Sequence, residues 1–194
     1  MRLKQRILRL QVCGSVDMWQ RFKSWFRADS GVVAVEFALL AIPFTILTVG
    51  LIETALFFAA GIILEGGSAD AARIIRTGQV QVAADPEQMF QDKLCDKVSA
   101  LIPCEELQYE VIAMQPNTFL SAEQMQPQFD SNGNLIPQGF NAGGSKSVVL
   151  VRTVYKYEFL TPFLGAMMTG DPSKNWAIHM STVVIKNEPF RING

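Results

Sequence analysis

Histidine is nearly absent from this chain: 194 residues contain one, His179. A Ser-His-Asp or Cys-His arrangement would hinge on that single side chain, which falls in a stretch alternating like a strand. No glycine-rich loop leads into a Lys-Ser or Lys-Thr pair, so nucleotide binding has no support. Cysteine is scarce too, and Cys95 and Cys104 with one distant histidine are too few ligands, wrongly spaced, for zinc. Asp130, Asn132 and Asn134 begin like a calcium loop, but the glutamate it needs further on is missing, and Asn141 stands near that place. The chain is therefore expected to be no enzyme and to hold no cofactor or metal. His179 reads as a half-exposed strand residue and Glu105-Glu106 as a solvated acidic face.

Charge is thin, 18% of residues, and unevenly spread. Residues 1–31 carry seven basic side chains (Arg2, Lys4, Arg6, Arg9, Arg21, Lys23, Arg27) against Asp17 and Asp29, a net of +5. The other residues carry ten basic and sixteen acidic side chains, a net of −6. Between the two lies an apolar run from Val32 to Ile52 of about twenty residues, enough for a helix to cross roughly 30 Å of hydrocarbon. Positive charge beside a spanning helix stays cytoplasmic, which predicts a single pass of the inner membrane with the C-terminal region in the periplasm. No small-x-small site follows the run, so it does not read as an ordinary secretory signal. The exported part is acidic without a basic stripe, which argues against nucleic acid as a partner. Cys13 then falls where thiols stay reduced, and Cys95 and Cys104 where disulfides persist. Closing that ten-residue loop would restrict the unfolded chain by about 2.7 kcal/mol. Two unpaired thiols are the alternative.

One acid interrupts the apolar run. An ionised Glu36 inside hydrocarbon costs about 2.5–3.5 kcal/mol on insertion scales, and intramembrane acids usually have a partner or a function. Gly31 stands just before the run, with Glu36 five residues after it, as at a prepilin cleavage site. With the basic leader and the Ala/Arg-rich continuation of the helix, the stretch Gly31–Gly78 resembles the TadE family of tight-adherence (Flp-type) pilus systems. The ending Thr182–Phe190, with its Asn-Glu-Pro-Phe, is similar to the C-terminus of that family. The resemblance implies a minor pilin-like subunit, cut between Gly31 and Val32 by a membrane prepilin peptidase. Glu36 becomes the fifth mature residue, followed by the aromatic Phe37, and pairs with a Val32 ammonium to set subunit register. The implied partners are the bilayer, that peptidase, other pilin-like subunits and the pilus or secretion machinery, with export into a pilus as one fate. An uncleaved single-pass anchor that displays a periplasmic binding domain as the scaffold of a secretion machine is the other reading.

The organisation follows. In the leader, 1–31, Trp19, Phe22 and Phe26 stand at helical spacing, which suits an interfacial helix or a merely basic disordered segment. Met1 and Met18 are both candidate starts. A long helix covers 32–78, spanning the membrane over 32–52 and extending into the periplasm over 53–78. Asp29 or Ser30 caps it, Pro43 kinks or unwinds it, and Thr77-Gly78 stops it after Arg73 and Arg76. The head, 79–194, is predicted as α+β: a helix from Pro86 with Met89, Phe90, Leu94 and Val98 on its apolar face, then an antiparallel meander against the long helix. Its strands are Leu107–Met114, Ser147–Phe159 with Val149, Val151, Thr153, Tyr155, Tyr157 and Phe159 on one face and Arg152, Lys156 and Glu158 on the other, and Asn175–Lys186 alternating through Trp176, Ile178, Met180, Thr182 and Val184. Residues 115–145 read as a long surface loop with a turn at Asp130–Asn134, and Thr161–Met168 as one helical turn.

Overall fold

The computed structural model describes residues 29–114 and 126–190. The basic leader with Cys13, Trp19, Phe22 and Phe26, residues 115–125 and the last four residues lie outside the described residues. Helix α1 (Asp29–Arg76) is 48 residues long. The chain forms two compact units, one ending at Leu51 and one beginning at Ile52.

In the first unit the apolar side chains of α1 face outward all round: Val32, Phe37, Leu40, Phe44 and Leu47 are all exposed. A helix apolar on every side suits hydrocarbon as its surroundings. Pro43 has no N–H for the carbonyl four residues back, yet the α-helix continues through it. Thr45 and Thr48 donate their hydroxyls to the carbonyls of Ala41 (2.7 Å) and Phe44 (2.8 Å), so these polar side chains bond within the helix.

The second unit is α+β, as expected. Strands β1 (Leu107–Met114), β2 (Val148–Glu158) and β3 (Trp176–Lys186) form an antiparallel sheet in the order β1-β2-β3. Val111 lies opposite Val151, and Val151 opposite Val183. This inner face packs on the part of α1 that carries Ala60, Leu64, Ala71, Ala72 and Ile75, all buried. Helix α2 (Pro86–Val98) starts with Pro86 in its first turn and the Asp85 carboxylate accepting the N–H of Gln88 at 3.0 Å. Its Phe90, Leu94 and Val98 are buried. It meets α1 at Gly67, where a Cβ would lie 2.6 Å from Val98 Cγ1, so only glycine permits this approach. Helix α1 ends in a Schellman turn: Gly78 N–H donates to Ile75 and Gln79 N–H to Ile74, both at 3.1 Å, with Gly78 at φ +81°.

The second face of the sheet is covered as well. Arg152, on the face of β2 opposite Val149 and Val151 as expected, is nevertheless 2% exposed and pairs with buried Glu110 directly across the β1–β2 ladder. The loop predicted to lie on the surface is the reason. Its residues return over that face, where Leu135 is buried and donates its N–H to Gln108 Oε1, and Gln138 N–H donates to Glu110 Oε2 at 3.0 Å. The same segment pairs with the open edge of β1: Val111 N–H donates to Gly139, and Asn141 N–H to Val111. In β3 the set Met180, Thr182 and Val184 turns outward, whereas Ser181 is buried and Val183 and Ile185 pack on the core. Both sets alternate, so the register against β2 decides which one faces in. Thr161–Met168 becomes a two-turn helix, α3 (Pro162–Thr169).

Candidate functional site

Gly31 and Val32 occupy the first turn of α1, where N–H groups lack carbonyl partners within the helix. Glu36 follows Val32 by one turn, and residues four apart share a helix face, about 5–6 Å between Cβ atoms. Glu36 is exposed and has no ion-pair partner among the described residues. Around it Val35, Phe37 and Leu39 are exposed too, Phe37 at 72%.

A second acid, which carries no motif in the sequence, stands just past the apolar run. Glu53 is 4% exposed, and its carboxylate accepts the backbone N–H groups of Leu160 and Thr161, the latter at 3.1 Å. It ties the junction between β2 and α3 to α1. One turn later the Phe57 ring stacks on Phe159 at 5.3 Å and lies 4.2 Å from the ring of His179. His179, predicted as a half-exposed strand residue, is partly exposed in β3 and faces α1: a Cβ on Gly61 would lie 3.0 Å from its Nδ1. Burial lowers its pKa below the ordinary value, and the Phe57 backbone opposes that shift. Tyr157 beside it is raised, first by burial and then by the charge of Glu53. Further along, the Ser68 hydroxyl donates to the Leu64 carbonyl and bonds the buried Thr153 hydroxyl of β2.

Cys95 in α2 is joined to Cys104 in the one-turn 3-10 helix before β1, with Cα atoms 5.6 Å apart. The Asp130 carboxylate closes its own turn, accepting the N–H groups of Asn132 (2.9 Å) and Asn134 (2.7 Å) and the Asn134 side-chain amide. Those hydrogen bonds hold its pKa below the usual carboxylate value. The ending Asn187–Phe190 holds the end of α1 in place. Asn187 Nδ2 donates to Ala142 and Gly144, both at 3.0 Å, Glu188 N–H donates to the Arg76 carbonyl, and Phe190 lies against Gly78.

These features define a class: an α+β unit built on a helix that is long and apolar enough, by length and composition, to cross a membrane once. Within it, residues 31–73 match the family described as TadE-like protein, so the resemblance carried by Gly31, Glu36 and Phe37 in their apolar run holds over this stretch. No match was found among curated proteins or among solved structures.

Proposed function

We propose that this chain is a minor pilin-like subunit of a tight-adherence pilus, made as a precursor and anchored in the inner membrane by the first half of α1, with the leader cytoplasmic and the head periplasmic. The observation that carries this reading is Glu36, a lone exposed acid on an apolar helix, one turn from Val32 and inside the TadE-like stretch. In this reading the protein is no enzyme; it is acted on by a prepilin peptidase. Water is added across the Gly31–Val32 amide, leaving a carboxylate on Gly31 and an α-ammonium on Val32. A protease takes its substrate extended, and glycine without a Cβ fits a narrow cleft. Opening α1 for this requires melting only its first turn, the part with fewest internal hydrogen bonds. The new ammonium then sits in or beside hydrocarbon, where a lone charge is costly and the Glu36 carboxylate of its own or a neighbouring subunit offsets it. That requirement selects the register in which subunits pack.

The test is the first residue of the membrane-extracted protein, read by mass spectrometry. Val32 is expected. Full-length chain from cells with active prepilin peptidase, or another first residue, would overturn processing and leave the uncleaved anchor with its periplasmic binding domain.

A further inference from the structure

We propose that the head touches the membrane a second time, through the segment Leu160–Gly170, which lies on the lipid headgroup and acyl boundary of the outer leaflet. This rests on α1 crossing the bilayer. From Phe159 to Gly170 no residue is charged, and the segment leaves Leu160 88%, Met167 66% and Met168 41% exposed. Such a patch on a soluble face marks a surface that something covers.

The position of the patch selects the occupant. The Leu160 and Thr161 N–H groups are held by Glu53, one residue past the apolar run that ends at Ile52. About twenty residues of helix match the hydrocarbon thickness, so Glu53 and whatever it holds stand at the level of the headgroups. There the Glu53 carboxylate is screened from lipid by the amides it accepts, and those bonds keep Leu160 and Thr161 beside this level of α1. Leu56 and Phe58 of α1, also exposed, continue the same apolar level. Trp176, at the start of β3, has Lys156 Nζ and Lys174 Nζ each 5.6 Å from its ring. A tryptophan between lysines is the side-chain set found at membrane–water boundaries. A short apolar segment tied to α1 by the Glu53 carboxylate fits an interfacial anchor.

The experiment uses the full chain with Cys13→Ser, its Cys95–Cys104 disulfide intact, in vesicles of phosphatidylethanolamine and phosphatidylglycerol. A nitroxide is attached at Leu160→Cys or Met167→Cys, and its collisions with oxygen and with a water-soluble nickel chelate are compared. Leu47→Cys, in the apolar half of α1, reports the spanning helix, and Val82→Cys, exposed beyond the end of α1, reports water. The expected result is an oxygen-to-nickel ratio at both patch sites several-fold above that of Val82→Cys, unchanged when lipid is added in excess. A ratio equal to that of Val82→Cys, with Leu47→Cys still reading lipid, overturns the proposal and leaves the anchor intact. If Leu47→Cys also reads water, the anchor reading fails with it. Protection that disappears on lipid dilution overturns the proposal in favour of a second copy of the chain covering the patch.

Discussion

Glu188 closes the C-terminal end of α1 through Arg76. Its backbone N–H donates to the Arg76 carbonyl at 2.9 Å, and its carboxylate lies 3.3 Å from Arg76 Nε. The side-chain pair is half exposed on both partners and contributes little by itself. The backbone bond matters more, because it satisfies a helix-end carbonyl that has no partner within the helix. The Asn-Glu-Pro-Phe ending thus returns the chain from β3 to the point where α1 stops, and it closes the helix there.

Gly78→Ala is expected to loosen that closure. Alanine at φ +81° costs about 1–2 kcal/mol for the left-handed conformation, and its Cβ would lie 2.7 Å from the Phe190 ring, forcing the ring away. Phe190→Ala should give a smaller loss, because it removes the packing and keeps the helix stop. Urea unfolding of the detergent-solubilised protein checks the order; equal stability of Gly78→Ala and the parent would refute it.

Glu110→Gln is expected to cost about 3–5 kcal/mol, because it removes the carboxylate paired with the buried Arg152 guanidinium. The double variant Glu110→Leu/Arg152→Met removes both charges and should recover most of the loss, as apolar side chains of similar volume replace the pair. Denaturant midpoints of the three proteins decide this. A double variant as unstable as Glu110→Gln would show that the hydrogen bond to Gln138 dominates instead.

What could be read from the chain alone divides along a physical line. Local signals were enough for α1, for α2 with its Asp85-Pro86 start, for the three strands and for the Gly78 stop, since each depends on residues within a few positions. The inward side of β3 was not legible, because Met180, Thr182 and Val184 alternate as well as Ser181, Val183 and Ile185 do. The burial of Arg152 was not legible because a charge on a strand normally means solvent, and the loop that covers it contributes only through long-range contacts. Glu53 escaped notice for the same reason: its partners, the Leu160 and Thr161 amides, lie more than a hundred residues away. Its one visible sign was being the only acid between Glu36 and Glu65. In the site, Glu36 stood out because an acid in an apolar run is costly wherever the rest of the chain goes.

His179 gives the head a pH dependence of defined sign. Burial lowers its pKa in the folded protein from an ordinary value of 6.5, so the unfolded chain takes up a proton first. Stability from this group is complete above about pH 6.5 and falls as the pH drops toward the lowered folded value, then levels off. Glu53 and Tyr157 lie in the same cluster, so the measurement is a difference: unfolding midpoints at pH 5 and pH 7.5 for the parent and for His179→Phe. The parent should lose more stability on acidification than the variant. Identical losses would remove His179 from the account.

Glu36→Gln distinguishes a subunit that packs in register from a simple anchor. In an anchor, the change removes a charge from hydrocarbon, so insertion and head folding stay the same or improve slightly. In a processed subunit, it leaves the Val32 ammonium without a partner, costing about 3–5 kcal/mol where that site is fully buried between subunits. The cut itself lies four residues before Glu36, so processing can persist while assembly fails. The expected outcome is therefore a mature chain beginning at Val32 in cells that display few or no fibres. Surface fibres are counted, and the precursor-to-mature ratio is measured in the same cells. Fibres at the parent level with Glu36→Gln would rule out the pairing of Glu36 with Val32, since no other acid lies in the apolar run to replace it.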